Sequence, residues 1–248
     1  MAPLLSARGL VKTFSGMAAT DHVDLDIPAN RIRGIIGPNG AGKTTLVHLL
    51  TGHLLPDTGS ITFDGQDITQ LPSHERVVRG LCRTFQVVDV FERLTVFQNV
   101  QIACITRQRR NLRFLTPSAR EAREEVERAL NEVGMWEFRH RRAEQLSHGQ
   151  QRRLDLAVTL ATEPRLCFLD EPTSGVSPRE RDQMLELIRS LAAARRTTFV
   201  IIEHDMQLVF QLCDEVTVMH RGAVLAEGTP KEIQANEAVR EVYLGEEV

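Results

Sequence analysis

Short apolar runs alternate with segments of helical spacing along this chain, and the alternation predicts an α/β protein with a largely parallel sheet. The run RIRGIIG (31–37) is typical of a strand leading into a glycine-rich loop, and TTLVHLLTG (44–52) is typical of a helix that ends at Gly52. RLCFLDE (165–171) and TTFVIIEH (197–204) are predicted to be buried strands that end in acidic or histidine residues. Since ligand sites in such sheets lie at the carboxyl ends of the strands, we expect the binding site of this protein at that edge of the sheet.

Two hairpins are also predicted. SITFDGQDI (60–68) carries the turn pair Asp64-Gly65, and VTVMHRGAVLAEG (216–228) has the same alternating character around a central glycine. Thr229, Pro230 and Glu232 follow as a helix start with capping chemistry. We therefore expect a helix to close the chain over 229–248.

The middle of the chain has a different pattern, helical and rich in charges. Ser118 and Glu121 form a capping-box pair, and Gly134 closes the segment. Between them, apolar residues recur at helical spacing: Ala122, Val126, Ala129, Leu130 and Val133. We predict one domain over 1–248, with a core formed by 1–86 and 160–228 and an inserted helical part over 87–159.

Composition narrows the class of protein. The chain of 248 residues is 42% hydrophobic and 25% charged, as ordinary globular proteins are, and its net charge of −3 gives no reason to expect nucleic acid as a partner. No apolar run approaches the ~18 residues of a membrane span, and the first residues do not have the pattern of a secretory signal. The four cysteines have no paired or metal-like spacing, which indicates reduced thiols in a cytosolic chain.

The segment GPNGAGKT (37–44) has the full G-x-x-x-x-G-K-[ST] pattern between a predicted strand and a predicted helix. Its glycines let backbone N–H groups face a β-phosphate, and the helix N-terminus adds positive potential. Lys43 is expected to bridge the β- and γ-phosphates, and the Thr44 hydroxyl to bind Mg²⁺. The alternative is a glycine-rich turn without a ligand.

Asp170 and Glu171 end the apolar run LCFL. Asp170 is placed to hold Mg²⁺, and Glu171 to orient or deprotonate an attacking water. The alternative is that two acidic residues merely end a strand and cap the next turn.

Three single residues give weaker signals. Gln86 is a candidate for contacts with Mg²⁺ and the attacking water, His204 for the γ-phosphate, and Phe14 for stacking on adenine. Each also has an ordinary interpretation: a surface glutamine, a structural histidine after a strand, and an aromatic side chain in normal packing.

A second anion-facing surface is predicted in LSHGQ (146–150), where the Ser147 hydroxyl and the Gly149 amide stand at a helix start. The first loop already encloses the phosphates of its own chain. We therefore expect these residues to meet a nucleotide held by another chain, with two ATP molecules between two head-to-tail chains. Locally, a serine N-cap on an ordinary helix is an adequate alternative.

The ordered set GPNGAGKTT, Gln86, LSHGQQ, LCFLDEP, SGVSP and EHD resembles the nucleotide-binding domain of ABC transporters over essentially the whole chain. The resemblance implies a P-loop NTPase with a RecA-like core, an antiparallel β subdomain and an inserted helical subdomain. It implies ATP and Mg²⁺ as ligands, with Thr44, Gln86 and Asp170 on the metal side and Glu171, His204, Gln86 and Lys43 as catalytic residues. The nucleotide-binding residues it implies are Phe14, Gly37, Pro38, Asn39, Gly40, Ala41, Gly42, Lys43, Thr44, Thr45, Ser147, Gly149 and Gln150.

Three positions depart from the family pattern. His148 stands where the signature has glycine, Ser177 where many members have aspartate, and Phe14 where tyrosine is usual. His148 bears on the flexibility of the signature loop, and Ser177 bears on communication across the dimer. Phe14 keeps an aromatic ring for stacking but lacks the hydroxyl of tyrosine.

Within the family, RTFQ, VFERLTVFQNV and VYLGEEV are similar to ATP-binding subunits of bacterial importers for branched-chain amino acids. Urea or short-amide importers have closely similar subunits. Two further classes stay open: exporters of lipid or lipopolysaccharide, and soluble ABC ATPases of translation or DNA repair.

The importer interpretation implies several partners at the cytoplasmic face of the inner membrane. These are transmembrane permease subunits, a second ATP-binding subunit of the same or a related chain and, through the permease, a periplasmic binding protein. The apolar residues expected near the groove for a permease helix are Val87, Val88, Val90, Phe91, Leu94, Val96 and Phe97. Packing of the helical part is the alternative for these residues. The stretch 107–113 is expected to be a solvated face, with contact to the membrane surface as its alternative.

Overall fold

The computed structural model describes residues 2–84, 90–110, 119–195 and 197–244. Gln86, Val87, Val88 and Ser118 lie outside the described residues. In the described ranges the strands are β1 (Leu5–Phe14), β2 (Met17–Ile27), β3 (Ile32–Ile36), β4 (Thr58–Phe63), β5 (Gln66–Asp67), β6 (Leu81–Arg83), β7 (Leu166–Asp170), β8 (Thr198–Ile202), β9 (Glu215–His220) and β10 (Ala223–Gly228). The α-helices of these ranges are α1 (Lys43–Thr51), α2 (Ser73–Val78), α3 (Val96–Arg110), α4 (Ala119–Glu132), α5 (His148–Leu160), α6 (Pro178–Arg195), α7 (Met206–Leu212), α8 (Pro230–Ala235) and α9 (Glu237–Leu244).

The larger sheet has the strand order β10-β9-β3-β8-β7-β6. All its neighbouring strands are parallel except β10, which pairs antiparallel with β9. Every residue of β3 and β8 is buried, as strands covered on both faces must be. The carboxyl ends of β3, β7 and β8 meet at one edge, so the predicted parallel sheet is confirmed.

The smaller sheet is antiparallel, in the order β2-β1-β4-β5. Asp64 and Gly65 link β4 to β5 with φ angles of 51° and 74°, and Arg221 and Gly222 link β9 to β10 with 48° and 84°. Two successive positive φ values are the signature of the tight hairpin turn whose twist matches its strands. Both predicted hairpins are therefore confirmed.

Helices α3, α4 and α5 pack on one another as the helical part of the chain. The face predicted for α4 is buried at Val126, Ala129, Leu130 and Val133, and Gly134 follows the helix with a φ of 68°. The predicted apolar face is therefore confirmed at these four positions, while the side chain of Ala122 lies outside what the structure describes. The boundaries of the domain parts stay a prediction.

The end of the chain begins its helix at Thr229 as predicted, because Thr229 and Glu232 form a reciprocal capping box. It then divides into two helices instead of one. Asn236 adopts an extended backbone and its Oδ1 accepts a hydrogen bond from the Val239 amide at 3.2 Å, which ends α8 and starts α9. None of the helices in the described ranges is long and apolar enough to cross a membrane.

Helix α1, which starts at the phosphate-loop lysine, is anchored at its other end by Arg76. This fully buried guanidinium donates hydrogen bonds to the carbonyl oxygens of Leu49 (2.7 Å), Leu50 (2.9 Å), Thr69 (3.0 Å) and Leu71 (2.8 Å). Burial lowers the pKa of Arg76 to about 10, so it remains a cation at neutral pH. A positive charge there satisfies the carbonyls of the last turn and matches the negative end of the helix.

Candidate nucleotide-binding and hydrolytic site

The glycine-rich loop runs from the end of β3 into α1. Gly37 and Gly42 have φ angles of 152° and 97°, and a Cβ atom at either position would lie 2.2 Å from a backbone oxygen, of Met219 and Ala19 respectively. No other residue fits at these two positions. The Gly222 amide also donates to the Ala41 carbonyl at 3.0 Å, so the turn between β9 and β10 supports the loop from outside.

Lys43 lies inside this loop. Its Nζ donates to the carbonyl oxygens of Gly37 at 2.6 Å and Pro38 at 2.8 Å, and the residue is buried. Thr44 and Thr45 follow in the first turn of α1, where Thr44 is exposed and Thr45 is half-buried. A buried ammonium and the unsatisfied amides of a helix N-terminus make a concave surface for phosphate.

The two acidic residues at the end of β7 have different partners. The Asp170 Oδ2 atom accepts a hydrogen bond from the Arg83 Nη2 atom at 2.6 Å. The Glu171 Oε1 atom lies 2.5 Å from the His204 Nε2 atom, and its amide donates to the Ile202 carbonyl at 2.9 Å. The structure therefore brings Glu171 and His204 together, as expected for the ends of neighbouring parallel strands.

Beside this pair lies a cavity of about 290 Å³ whose lining includes Glu171, Thr173, Glu203 and His204. Glu203 is buried, and its Oε1 atom accepts a hydrogen bond from the Thr173 hydroxyl at 2.9 Å. Burial is the main cause that raises the pKa of Glu203, and the nearby Glu171 charge acts in the same direction. Glu203 was not among the site residues predicted from the sequence, because a glutamate in EHD is as compatible with solvent as with burial.

Ser147 caps α5 in a reciprocal capping box. Its hydroxyl accepts from the Gln150 amide at 3.3 Å, and its own amide donates to the Gln150 side chain at 3.0 Å. The ordinary N-cap role is therefore present in the structure. Ser147 and His148 are also exposed, so both can be reached by another molecule.

His148 and Ser177, two of the residues that depart from the family pattern, each contact a neighbouring segment. His148 Nε2 lies 3.3 Å from the Ser174 carbonyl oxygen and covers Gly175, where a Cβ would come within 3.0 Å of the ring. The Ser177 hydroxyl donates at 2.7 Å to Glu180, whose carboxylate also lies against the signature residue Gly149. The hydrogen bond from Ser177 lowers the pKa of Glu180. The signature loop is thus in contact with the segment that follows Glu171.

Phe14 ends β1 with 46% of its surface exposed, and Met17, its partner across the turn, is 78% exposed. The Lys12 ammonium lies 5.9 Å from the Phe14 ring centroid. An exposed aromatic face is therefore available for stacking. Gln86, another of the three weaker candidates, belongs to the stretch 85–89, which lies outside the described residues.

The donor set fits magnesium. Mg²⁺ prefers oxygen ligands and usually takes only one or two from protein, with phosphate and water completing its shell. Thr44 offers a hydroxyl and Asp170 a carboxylate on two elements that leave the same edge of the sheet. In the part of the chain that the structure describes, no three histidine, cysteine or acidic residues form an all-protein metal cluster.

A glycine loop between a parallel strand and a helix, with an acidic pair at the end of another strand two places away in the sheet, defines a P-loop nucleoside triphosphatase. The sequence profile of the ABC transporter family matches residues 20–174, and this chain belongs to that family. It is an ATP-hydrolysing nucleotide-binding domain of the ABC type, which confirms the predicted fold class and enzyme class.

Curated relatives match along their whole length. The chain is 41% identical to the high-affinity branched-chain amino acid transport ATP-binding protein BraF of Pseudomonas aeruginosa, with 98% of each chain covered. It is 40% identical to LivG of Escherichia coli, a protein of the same description, again with 98% of each covered. It is 34% identical to the lipopolysaccharide export system ATP-binding protein LptB of Haemophilus influenzae, with 98% of each covered.

A profile described as branched-chain amino acid ATP-binding cassette transporter also matches residues 223–248. Among solved structures, an ATP-binding cassette of an ABC transporter in its ADP conformation aligns with a TM-score of 0.87 and 30% identity, covering 99% of this chain and 100% of that one. A nucleotide-free cassette aligns with a TM-score of 0.84 and 29% identity, covering 97% and 98%.

Proposed function

We propose that this chain is the ATP-binding and ATP-hydrolysing subunit of a bacterial ABC importer for branched-chain amino acids. The observation that carries the proposal is the agreement between two separate similarities. BraF and LivG align over 98% of their length, and residues 223–248 match a profile described as branched-chain amino acid ATP-binding cassette transporter. The importer interpretation puts the subunit at the cytoplasmic face of the inner membrane, bound peripherally to permease subunits.

Nucleotide binding in this proposal begins at the phosphate loop. The backbone N–H groups of the glycine-rich loop, apart from Pro38, which has none, and the Lys43 ammonium hold the β- and γ-phosphates, and Phe14 stacks on the adenine. Lys43 exchanges its present carbonyl partners for phosphate oxygens, a change that needs only rotation of its flexible stem. Thr44, Asp170 and Gln86 are the residues that hold Mg²⁺, which, when bound, neutralises charge developing on the phosphates.

Hydrolysis is assigned to Glu171. Its carboxylate takes the proton of the attacking water, and His204 orients that carboxylate and contacts the γ-phosphate side. The 2.5 Å contact between the two side chains supports this assignment. A base already held in position by a neighbour has less orientational freedom to lose when the reaction takes place.

Completion of the site is assigned to a second chain. Ser147, Gly149 and Gln150 stand at one helix start, where Ser147 is exposed, Gln150 is half-buried and Gly149 is buried. Through the exposed Ser147 this helix start can meet the nucleotide of a partner ATPase subunit, of the same or a related kind. ATP binding then closes the pair and hydrolysis reopens it. The periplasmic binding protein acts on this cycle only through the permease.

Docking of the permease is assigned to the surface around α3. Phe91, just before this helix, is 59% exposed, and Ile102 and Ile105 are exposed on the helix itself. Val96 is fully buried in the core, so it packs the helical part and does not face a partner. Ile102 and Ile105 stand three positions apart and so share one face of α3, and adjoining exposed apolar side chains are typical of surfaces that another protein covers.

The proposal is tested by solute uptake in cells from which this gene has been deleted. Restoring the wild-type chain should restore uptake of labelled leucine, while Glu171→Gln should not. Uptake of labelled urea should be the same in the deletion strain and in the strain with the wild-type chain. Uptake of urea that follows the gene would favour the short-amide importer. Leucine uptake unaffected by the deletion, with a defect in lipopolysaccharide export, would favour an exporter such as LptB.

A further inference from the structure

Arg83 and Asp170 form a nearly buried ion pair at the edge of the larger sheet where the carboxyl ends of its parallel strands meet. Arg83 ends β6, Asp170 ends β7, and the two strands are parallel neighbours. The Nη2 and Oδ2 atoms are 2.6 Å apart, with only 6% and 16% of the respective side chains exposed. A charge-assisted bond of this length with little water around it fixes the carboxylate more firmly than a surface pair would.

The surroundings place the Arg83 charge close to α1 as well. His48 on α1 and His53 just beyond it have their pKa values lowered mainly by burial and next by the positive charge of Arg83. Asp170 acts on His48 in the opposite direction. Strand β6, which Arg83 ends, pairs with the strand that ends in Asp170 and also contacts the helix that follows the phosphate loop.

We propose that Arg83 is a positioning residue for the magnesium ligand Asp170. By holding Oδ2, it turns Oδ1 toward the metal side of the site. The inference rests on the proposed role of Asp170 in the hydrolytic site.

The expected size of the effect follows from metal sites in general. Groups that hydrogen-bond a metal's ligands contribute about 10- to 100-fold in metal affinity or activity. Lysine keeps the charge of arginine but lacks the planar fork, so it should replace Arg83 only in part.

The test uses Mn²⁺ as a paramagnetic substitute for Mg²⁺, titrated into the full chain saturated with ADP and followed by electron paramagnetic resonance. The variants are Arg83→Met, Arg83→Lys and Asp170→Asn. Arg165→Met is the matched control, because Arg165 precedes the opposite end of β7 and pairs with the exposed Asp64. Affinity for a fluorescent ATP analogue, MANT-ATP, is measured in EDTA for every variant.

We expect Arg83→Met to weaken Mn²⁺ binding by about tenfold or more, with Arg83→Lys intermediate and Arg165→Met equal to wild type. MANT-ATP affinity in EDTA should stay within about twofold throughout, since Arg83 acts on the metal side. Should Arg83→Met not fold, the Arg83→Lys value alone must fall between wild type and Asp170→Asn.

Two contrary outcomes are distinguishable. Unchanged or tighter Mn²⁺ binding in both Arg83 variants, with weakened binding in Asp170→Asn, would overturn the positioning role and make Arg83 a simple counter-charge. Unchanged binding in Asp170→Asn would instead overturn the metal role of Asp170, and with it that part of the proposed function.

Discussion

The carboxylate of Glu171 and the imidazole of His204 are in direct contact, with Oε1 and Nε2 2.5 Å apart. Each residue follows the end of a parallel strand, β7 for Glu171 and β8 for His204, and these strands are neighbours in the sheet. Glu171 has a φ of 46°, an unusual backbone conformation for this residue type. The turn after β7 thus holds the carboxylate toward the strand end that carries the histidine.

Glu171→Gln should retain ATP binding, abolish turnover and accumulate closed dimers. An amide keeps the shape and the contact with His204 but cannot accept a proton at neutral pH, so at least about 10²-fold of the rate should be lost. Phosphate release and size-exclusion chromatography with ATP measure the two effects. Glu137→Gln, on an exposed turn of the helical part, is the control, and wild-type turnover in Glu171→Gln would refute the base assignment.

Glu203→Gln should change the pH dependence of stability. Because burial raises the pKa of Glu203 above its ordinary value of 4.5, the folded chain binds this proton more tightly than the unfolded chain does. Its contribution is therefore fully present below pH 4.5 and is lost as the pH rises through the folded-state pKa. Urea unfolding should show wild type losing stability relative to Glu203→Gln over that range, and parallel curves would contradict the prediction.

Arg76→Met should lower the free energy of unfolding by about 3 kcal/mol, because four buried carbonyl oxygens lose a charged donor. Arg79→Met is the matched control. Arg79 lies three residues further on and its side chain pairs with Glu75 at the surface, so its loss should change stability by about 0.5 kcal/mol or less. Equal effects in urea unfolding would mean that Arg76 does not anchor α1.

Gly175→Ala should push the His148 ring away from the Ser174 carbonyl. The new Cβ would lie 3.0 Å from Nε2, and Gly175 has a φ of 72°, so we expect a stability loss of about 1 kcal/mol or more. His148→Gly in the same chain should remove the steric part but not the backbone strain. A double-mutant cycle measures the coupling between the two positions, and strict additivity would exclude direct contact.

Features carried by local patterns were predictable from the sequence. The loop at Gly37, the strand that ends at Asp170 and the hairpin at Asp64 each depend on a few adjacent residues whose backbone preferences agree. That Glu171 and His204 lie at the same edge of the sheet followed from one further rule, that parallel strands bring their carboxyl ends together. Their direct contact depends on β7 and β8 being neighbours, which the sequence did not predict.

Features that depend on register between distant segments were not predictable. Arg83 meets Asp170 only because β6 pairs with β7, and a three-residue strand gives little signal of its own. Arg76 looks like a surface arginine in a charged helix, and its burial depends on how α2 packs on the end of α1. The break at Asn236 is similar, since an asparagine in a short polar run gives no clear stop signal.

If each hydrolytic site is shared between two chains, the nucleotide affinity of the dilute, monomeric chain should not depend on the signature loop, and equilibrium binding measures this. Ser147→Arg should bind MANT-ATP as wild type does, within about twofold, but should lose turnover. The reason is that the Ser147 hydroxyl contacts the nucleotide held by another chain. Lys43→Ala, which removes a group from the chain's own loop, should lose affinity in the same assay. If Ser147→Arg lost affinity as Lys43→Ala does, the signature loop would belong to its own chain's site and the account would be contradicted.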